Sequence, residues 1–338
     1  MAGSPGGRHT LRHVRLPVCR PEWVRPLLLA NLVVEILIIV TGGIVRLTGS
    51  GLGCPDWPTC AQGSLVPVAT QNEGFHRFIE FGNRTLTGVL IVAAVLALWA
   101  VRTALPRRRR LHQLGWAMIV GILLEAIVGG ITVWTGLNPL IVAFHFLSTL
   151  VLVAIATAML RGAQDGDGPL DERVRLVPAL TARLAWITYA VGGLVLVLGT
   201  IVTGSGPHSG DKLSTRTGFD VRTVSWLHAD VVMLFIGLLV AVLVAVRLAK
   251  GADRAVGADG GSGGSGGRSD GAPTTAELAR LGRSWTSVLH LSLLQGAIGY
   301  LQYFTGVPIL LVLAHMLCAA LLAVALTLGT LNLYRHPV

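Results

Sequence analysis

The chain has 338 residues, of which 52% are hydrophobic and only 13% are charged. Soluble globular domains carry about 25% charged residues, so the composition excludes a disordered chain. It also argues against a soluble nucleic-acid-binding protein, despite the net charge of +10. The composition instead predicts an all-α polytopic membrane protein embedded in a lipid bilayer, whose basic residues collect in cytoplasmic loops.

Eight apolar runs are long enough to cross a bilayer as helices, which takes roughly 20 residues each. The runs are continuous, which favours helices over the short alternating strands of a β-barrel. The eight predicted spans lie at 27–45, 82–101, 114–134, 139–160, 184–203, 226–246, 284–304 and 308–331.

The basic residues predict the orientation of these spans. If the N-terminus is cytoplasmic, 21 of the 27 Lys and Arg residues fall on the cytoplasmic side and 6 on the outer side. The positive-inside rule therefore predicts a multi-pass protein of the cell (plasma) membrane with both termini in the cytoplasm. We expect a cytoplasmic tail at 1–26, a cytoplasmic connector at 161–183 and a flexible Gly/Ser-rich linker at 250–276.

The sequence contains an internal repeat. Thr-Gly-Ser-Gly occurs at 48–51 and again at 203–206, and a Thr-Gly pair followed nine residues later by His occurs at 135–145 and 305–315. Each copy starts on the cytoplasmic side, so the repeats are parallel and related by an axis along the membrane normal. The repeat predicts two four-helix bundles, an N-terminal half at 27–160 and a C-terminal half at 184–333.

Four of the ten histidines lie at repeat-related positions near the outer face. His76 and His228 lie at the starts of spans two and six, and His145 and His315 lie about one and a half turns into spans four and eight. A single membrane histidine is often only a polar contact between helices. Two imidazoles facing each other across a four-helix bundle, however, can bind a haem iron from both sides. Zinc would need further Cys or His ligands, which the neighbouring sequence lacks, so we predict a bis-histidine haem site in at least one half.

The two halves differ in one carboxylate next to a candidate ligand. Glu73 precedes His76 by three residues, whereas the second half has Ser225 at the matching position. We expect Glu73 and His76 to share a helical face, where the acid would suit proton transfer or stabilisation of positive charge. A loop or helix-capping role for Glu73 is the alternative.

Two further carboxylates lie within predicted spans. Glu35 belongs to the first span and Glu125 to the third, and their apparent counterparts in the second half are Gly192 and Gln295. Carboxylates inside a membrane are costly and therefore suggest a function. A hydrogen-bonded packing role remains equally open for both.

Cys54 and Cys60 lie in the first outer loop, in Gly-Cys-Pro-Asp-Trp-Pro-Thr-Cys. The outer side of the membrane is oxidising and the five intervening residues permit ring closure, so a disulfide is expected. Either a structural staple or a redox-active pair beside a haem site would fit this position.

The chain resembles the haem A synthase family. Within that family it is similar to the bacterial type that has a cysteine pair in the first outer loop. The resemblance extends over about 27–333. It is carried by the eight spans in two halves, by Gly-Gly-Ile-Val-Arg-Leu-Thr-Gly-Ser-Gly-Leu-Gly-Cys-Pro-Asp-Trp-Pro at 42–58, by Glu-Gly-Phe-His at 73–76 and by the three later histidines, His145, His228 and His315.

The resemblance implies an oxidoreductase that converts haem O to haem A for cytochrome oxidase assembly. The family oxidises the C8 methyl group of haem O to a formyl group through hydroxylated intermediates. The N-terminal half would then bind haem O as substrate, and the C-terminal half would bind haem b as cofactor. The implied residues are Glu73 for catalysis, His76 and His145 for the substrate iron, His228 and His315 for the cofactor iron, and a disulfide between Cys54 and Cys60. Candidate partners are a haem O synthase and an electron acceptor such as a quinone.

Two other functions fit parts of the pattern. A non-catalytic membrane cytochrome with two b haems would share the four histidines, but it would not explain why Glu73 has no counterpart in the second half. A transporter could also be built from parallel repeats. It would need a polar path that reaches both faces, whereas the histidines lie at the outer face alone.

Overall fold

The computed structural model describes residues 17–165, 173–212, 214–259 and 273–335. The described residues form eight α-helices, which confirms the predicted all-α class. In chain order they are α1 (Pro21–Leu47), α2 (His76–Ala104), α3 (Arg109–Trp134), α4 (Pro139–Gly162), α5 (Ala179–Ser205), α6 (Val221–Asp259), α7 (Thr275–Phe304) and α8 (Ile309–Leu331).

Seven of the eight described helices are long and apolar enough to cross a membrane, and α7 is the exception. With 30 residues α7 is long enough, but it is more polar and carries Gln295 and Gln302 in its second half. It packs between α6 and α8. The position of α7 in the bundle therefore supports the seventh predicted span, at 284–304, although its composition is less apolar than that of the others.

Several helices extend beyond the apolar runs that predict them. α2 begins at His76 rather than at residue 82, and α6 begins at Val221 rather than at residue 226. The first turns of these helices are polar, so the length of an apolar run underestimates them. α6 also continues to Asp259 and takes in the first part of the predicted linker at 250–276. The rest of that linker lies mostly at 260–272, outside the described residues.

The eight helices pack as two rings of four. In each ring every helix contacts the next one along the chain, and the first helix contacts the fourth: α1 to α4 form one ring and α5 to α8 the other. The rings meet where α4 packs on α8 and α5, and where α1 packs on α8. When the two rings are interchanged, the contact of α1 with α8 becomes the contact of α5 with α4. An axis along the membrane normal produces such matching contacts. Each ring has its own core, with Met118 and Val153 in the first and Phe235 and Trp285 in the second.

The two rings are also joined by polar groups at the end of α4. The Nε of Arg161, a buried residue, donates to Oδ1 of Asn332 over 2.8 Å, and its guanidinium pairs with Asp165. The Nδ2 of Asn332 donates in turn to Oγ of Ser284 over 2.8 Å. These bonds connect α4 with α7 and with the residue that follows α8.

A two-stranded sheet lies beside this junction, and the sequence did not predict it. β1 (Val174–Arg175) pairs antiparallel with β2 (Tyr334–Arg335). The backbone N–H of Leu176 continues the pairing by donating to the carbonyl of Leu333 over 2.9 Å. The connector between the rings is therefore fastened to the chain that follows α8.

We expect Asn332→Ala to lower the stability of the protein, because it removes a hydrogen bond from the buried Arg161 guanidinium. Loss of a partner by a buried polar group costs about 1–3 kcal/mol. Thermal unfolding in detergent measures the effect. Arg20→Gln is the control, since the Arg20 side chain is 78% exposed. A melting temperature of Asn332→Ala equal to that of the control would contradict this role.

Candidate functional site

The loop between α1 and α2 is closed by the expected disulfide between Cys54 and Cys60, and both cysteines are buried. The start of α2 holds this loop in place. The carboxylate of Glu80 accepts hydrogen bonds from the Cys54 backbone N–H over 2.7 Å and from Nε of Arg84 over 3.1 Å. Arg84 also donates to three loop carbonyls, those of Cys54, Asp56 and Thr59.

Glu80 and Arg84 are not among the site residues that the sequence predicts. Their spacing of four residues places them on one face of a helix, where an acid and a base attract each other. That spacing was a usable signal, but α2 starts earlier than its apolar run, so both residues lay at the edge of the predicted span.

The disulfide loop also covers the outer end of α3. The indole of Trp57 lies against Gly130, where an added Cβ would come within 2.4 Å of the ring. Trp57 also meets Trp134 edge to face, with ring centroids 5.2 Å apart. Only glycine at position 130 allows the indole to approach the helix this closely. The disulfide and its loop thus bring α2 and α3 together at this end of the bundle.

His76 is the first residue of α2 and is held from both sides. Its Nδ1 lies 2.8 Å from Oγ of the fully buried Ser50, which follows α1. The loop approaches so closely that a Cβ on Gly53 would lie 2.5 Å from the carbonyl oxygen of His76. Because Nδ1 is engaged by Ser50, Nε2 is the ring nitrogen left for a ligand.

Glu73 lies in the turn before α2, and not on the helix as the sequence analysis expected. Its backbone carbonyl accepts a hydrogen bond from the His76 N–H over 3.1 Å. Gly74, with φ of +55°, allows the chain to turn between them. The side-chain Oε2 of Glu73 is buried and has no hydrogen-bond partner among the described residues. A buried polar atom without a partner is unfavourable, so this oxygen is suited to a group supplied from outside the chain.

His145 lies on α4 and faces α3. Its Nδ1 is 2.6 Å from Oε2 of Glu125, although the ring N–H does not point straight at that oxygen. The same oxygen accepts a hydrogen bond from Oγ1 of Thr149 over 3.1 Å. Gly129 lies beside the ring, where an added Cβ would be 3.7 Å from Nε2. The ring is therefore approached by a carboxylate at Nδ1 and by a glycine at Nε2.

The C-terminal half repeats part of this arrangement. His228 on α6 and His315 on α8 lie close enough to interact electrostatically. Glycines again adjoin both rings: a Cβ at Gly199 would lie 3.5 Å from Cε1 of His228, and one at Gly299 would lie 3.4 Å from Cε1 of His315. The Nδ1 atoms of both histidines make no aligned hydrogen bond, which is also true of His145, but unlike His145 they have no carboxylate at contact distance among the described residues.

Asp220 caps the helix that carries His228. Its Oδ2 accepts hydrogen bonds from the Thr223 hydroxyl over 2.7 Å and from the Thr223 backbone N–H over 2.8 Å. These two bonds lower the pKa of the Asp220 carboxyl. An ionised acid at a helix N-terminus is favourable, so Asp220 fixes where α6 begins.

The donor set of each half fits a haem. Two imidazoles complete the coordination of a haem iron. Among the described residues, no three His, Cys, Asp or Glu side chains are grouped as metal ligands. Glycines adjoin His145, His228 and His315, and an added Cβ at Gly42 or Gly296 would meet no atom within 4 Å. Small residues at these places leave room for a flat macrocycle between the helices.

A family model described as cytochrome oxidase assembly protein matches residues 25–256, which is more than half of the chain. The chain belongs to this family. The match includes His76, His145 and His228, and it ends before His315.

Several proteins are similar to parts of this family member. The heme A synthase of Geobacillus kaustophilus is 33% identical over 132 residues, covering 36% of this chain and 39% of that protein. The heme A synthase of Lysinibacillus sphaericus is 31% identical over 172 residues, covering 49% of this chain and 53% of that protein. A protoheme IX farnesyltransferase of Thermus thermophilus is 31% identical over 181 residues, covering 50% of this chain and 29% of that protein. The alignments thus span about half or less of each relative.

In this cytochrome oxidase assembly protein, we expect Gly53→Ala to displace the first turn of α2, because the new methyl group would collide with the His76 backbone. Hydrogen–deuterium exchange followed by mass spectrometry should show faster exchange at 71–80. Gly88→Ala is the matched control, since a Cβ at Gly88 of the same helix would meet no atom within 4 Å. Equal exchange in the two variants would show that the loop does not fix His76.

Proposed function

We propose that the protein is a haem A synthase, an enzyme that oxidises the C8 methyl group of haem O to a formyl group through hydroxylated intermediates. The observation that carries this proposal is the unequal duplication of the histidine pair. Both halves present two histidines and adjoining glycines, but only the N-terminal half has Glu73, whose Oε2 is buried without a partner. Membership of the cytochrome oxidase assembly family and the similarity to heme A synthases support the same activity.

In this proposal the N-terminal half binds the substrate. His76 and His145 hold the iron of haem O through Nε2, while Ser50 and Glu125 occupy the opposite ring nitrogens. This orientation of the rings is fixed before the substrate arrives. Trp57 and the disulfide loop cover the outer end of the same half.

His228 and His315 hold haem b in the C-terminal half. When bound, haem b would supply reversible one-electron chemistry and would return to its starting oxidation state after each turnover. In contrast to Glu73, Ser225 donates its hydroxyl to the carbonyl of Val221, within its own helix, over 2.6 Å. The C-terminal half thus has no acid at the position that Glu73 occupies in the first half.

Glu73 takes part in the proton chemistry of the methyl group. With water as the oxygen source, each hydroxylation of a methyl carbon releases two protons and two electrons, so it needs a base nearby. The carboxylate of Glu73 accepts a proton or stabilises positive charge that develops at the carbon. The electrons leave to an acceptor such as a quinone.

The disulfide has a structural role in this proposal. Cys54 and Cys60 are only 0% and 1% exposed, whereas labile redox-active disulfides are strained or exposed. The loop that they close is bound by Glu80 and Arg84 and carries Trp57 onto α3. The disulfide therefore holds the cover of the substrate site in place.

The protein acts in the cell membrane with both termini in the cytoplasm, which places all four histidines near the outer face. The positive-inside distribution of basic residues supports this orientation. A haem O synthase is the proposed partner that delivers the substrate. The similarity of half of this chain to part of a protein named protoheme IX farnesyltransferase supports such a link.

The activity is tested in a host that makes haem O but not haem A. Haems extracted from its membranes are separated by chromatography, with and without the protein. We expect a new peak with the mass and spectrum of haem A or its hydroxylated precursor. Haem b and unchanged haem O alone, from protein that binds both, would instead favour an electron-transfer cytochrome.

Glu73→Gln should keep both haems and stop haem A formation, because the amide cannot accept a proton. The same extraction measures product, and the absorption spectrum of the purified variant measures bound haem. Asp56→Asn is the control, since this acid lies on the covering loop and is not proposed to act in proton transfer. Normal haem A output from Glu73→Gln would remove Glu73 from the mechanism.

His315→Ala should remove low-spin haem b while haem O stays bound in the other half, because each half supplies both of its own iron ligands. His145→Ala should have the opposite effect. Haem extraction from the two purified variants measures which haem is lost. Loss of both haems from both variants, with the protein still folded, would show that the halves do not bind haem separately.

A further inference from the structure

The sequence repeat places the four histidines at matching positions in the two halves. The contacts that their rings make nevertheless differ between the halves. We infer that Glu125 is a positioning residue for the substrate site: its carboxylate fixes the ring of His145 and makes His145 a stronger electron donor to iron than His315. The inference rests on the proposed function, since it concerns the iron ligand of the substrate half.

Three side chains carry the contact in the N-terminal half. Oε2 of Glu125 on α3 lies 2.6 Å from Nδ1 of His145 on α4. The Thr149 hydroxyl donates to that same oxygen and lies one turn along α4 from His145. The carboxylate is thus held by the helix that carries the histidine, and its side chain is only 13% exposed. Such a carboxylate sets the tautomer and the orientation of a ligating imidazole.

The C-terminal half lacks both partners of this contact. At the repeat offset that relates His145 to His315, Gln295 replaces Glu125 and Ala319 replaces Thr149. Nδ1 of His315, like that of His145, makes no aligned hydrogen bond, but it has no carboxylate at contact distance among the described residues, and Oε1 of Gln295 is buried without a partner. The neighbouring glycine is retained: a Cβ added at Gly129 would lie 3.6 Å from Cε1 of His145, and one at Gly299 would lie 3.4 Å from Cε1 of His315. A glycine therefore lies beside the ring in both halves, while the charge next to the ring differs.

The other pair of histidines shows the same contrast. Ser50 contacts Nδ1 of His76, whereas its repeat counterpart Ser205 contacts Oγ1 of Thr217 over 2.5 Å. None of the described side chains hydrogen-bonds to Nδ1 of His228, whose ring lies near the backbone of Val195 instead. Both N-terminal histidines thus have a polar partner opposite the iron-binding nitrogen, and one of these partners is a carboxylate.

A carboxylate at Nδ1 raises the basicity of the imidazole as an iron ligand. A more basic ligand favours the oxidised iron, so it lowers the reduction potential of the haem bound there. A haem held by His145 is then easier to oxidise than one held through a histidine without this partner. The carboxylate next to His145 suits the N-terminal half, because in the proposed function the haem bound there is the molecule that is oxidised.

Glu35 is near Glu125 but does not share its role. The two carboxyl groups are close enough to interact electrostatically. Glu35 is fully buried, and neither of its oxygens has a hydrogen-bond partner among the described residues. It therefore makes no polar contact with His145, and the positioning role falls to Glu125.

The test is a redox titration of the purified protein, loaded in a host that makes haem O, with electron paramagnetic resonance spectra of the oxidised form. The N-terminal haem is identified by its loss in His145→Ala. Glu125→Gln should keep that haem bound, raise its reduction potential and change its resonance spectrum, while the other haem is unchanged. Haem A formation should fall by about 10–100-fold, the usual effect of removing such a partner. Gln295→Leu is the matched control and should leave the N-terminal haem unchanged.

A second variant transfers the contact to the other half. The double change Gln295→Glu with Ala319→Thr should lower the reduction potential of the C-terminal haem. Unchanged potentials in both variants, with haem bound, would overturn the inference. If Glu125→Gln loses its haem, the double variant decides alone: a lowered potential supports the role and an unchanged one overturns it. Wild-type protein with only one haem would contradict the proposed function itself, and the inference with it.

Discussion

Polar groups inside a membrane bundle are costly unless each has a partner, and this cost governs the end of the bundle where the disulfide loop lies. The N-terminal half meets it with polar contacts. Ser50 contacts His76, Glu125 contacts His145, and Glu80 pairs with Arg84 beneath the disulfide loop. The first two contacts join different segments of the chain, and Glu80 and Arg84 both bind Cys54 of the loop, so the groups that prepare the site also hold the bundle together there.

The duplicated architecture explains how one fold can present two different histidine environments, which we propose are haem sites. The features set by backbone geometry are shared, including the ring of four helices and the glycines next to His145 and His315. The features set by polar side chains have diverged, as Glu125 and Gln295 show. Packing constrains the shared features, because a larger residue would fill the space beside the ring. The change between Glu125 and Gln295 alters the charge with little change in shape. Packing therefore allows the two halves to differ at this position.

The sequence predicted the features that depend on composition and repetition. Long apolar runs predicted the helices, the repeat predicted two four-helix units, and the cysteine spacing agreed with the disulfide of the structure. What it missed depends on contacts between segments far apart in the chain. Trp57 on Gly130 and the β1–β2 pairing leave no local signal. Glu73 was placed on a helix because a spacing of three residues suggests one, but Gly74 turns the chain before α2 starts.

The position of Glu73 in a turn bears on its chemistry. An acid on the first helical turn would be stabilised as an anion by the backbone N–H groups and the helix dipole, and that would make it a weak base. Before the helix, Glu73 gives its backbone carbonyl to the His76 N–H and leaves its buried Oε2 without a partner. The turn thus connects Glu73 through the main chain to His76, the proposed iron ligand, while its Oε2 has no partner among the described residues. The proposed base, which would act repeatedly on one carbon, needs both this fixed position and an oxygen with no competing partner.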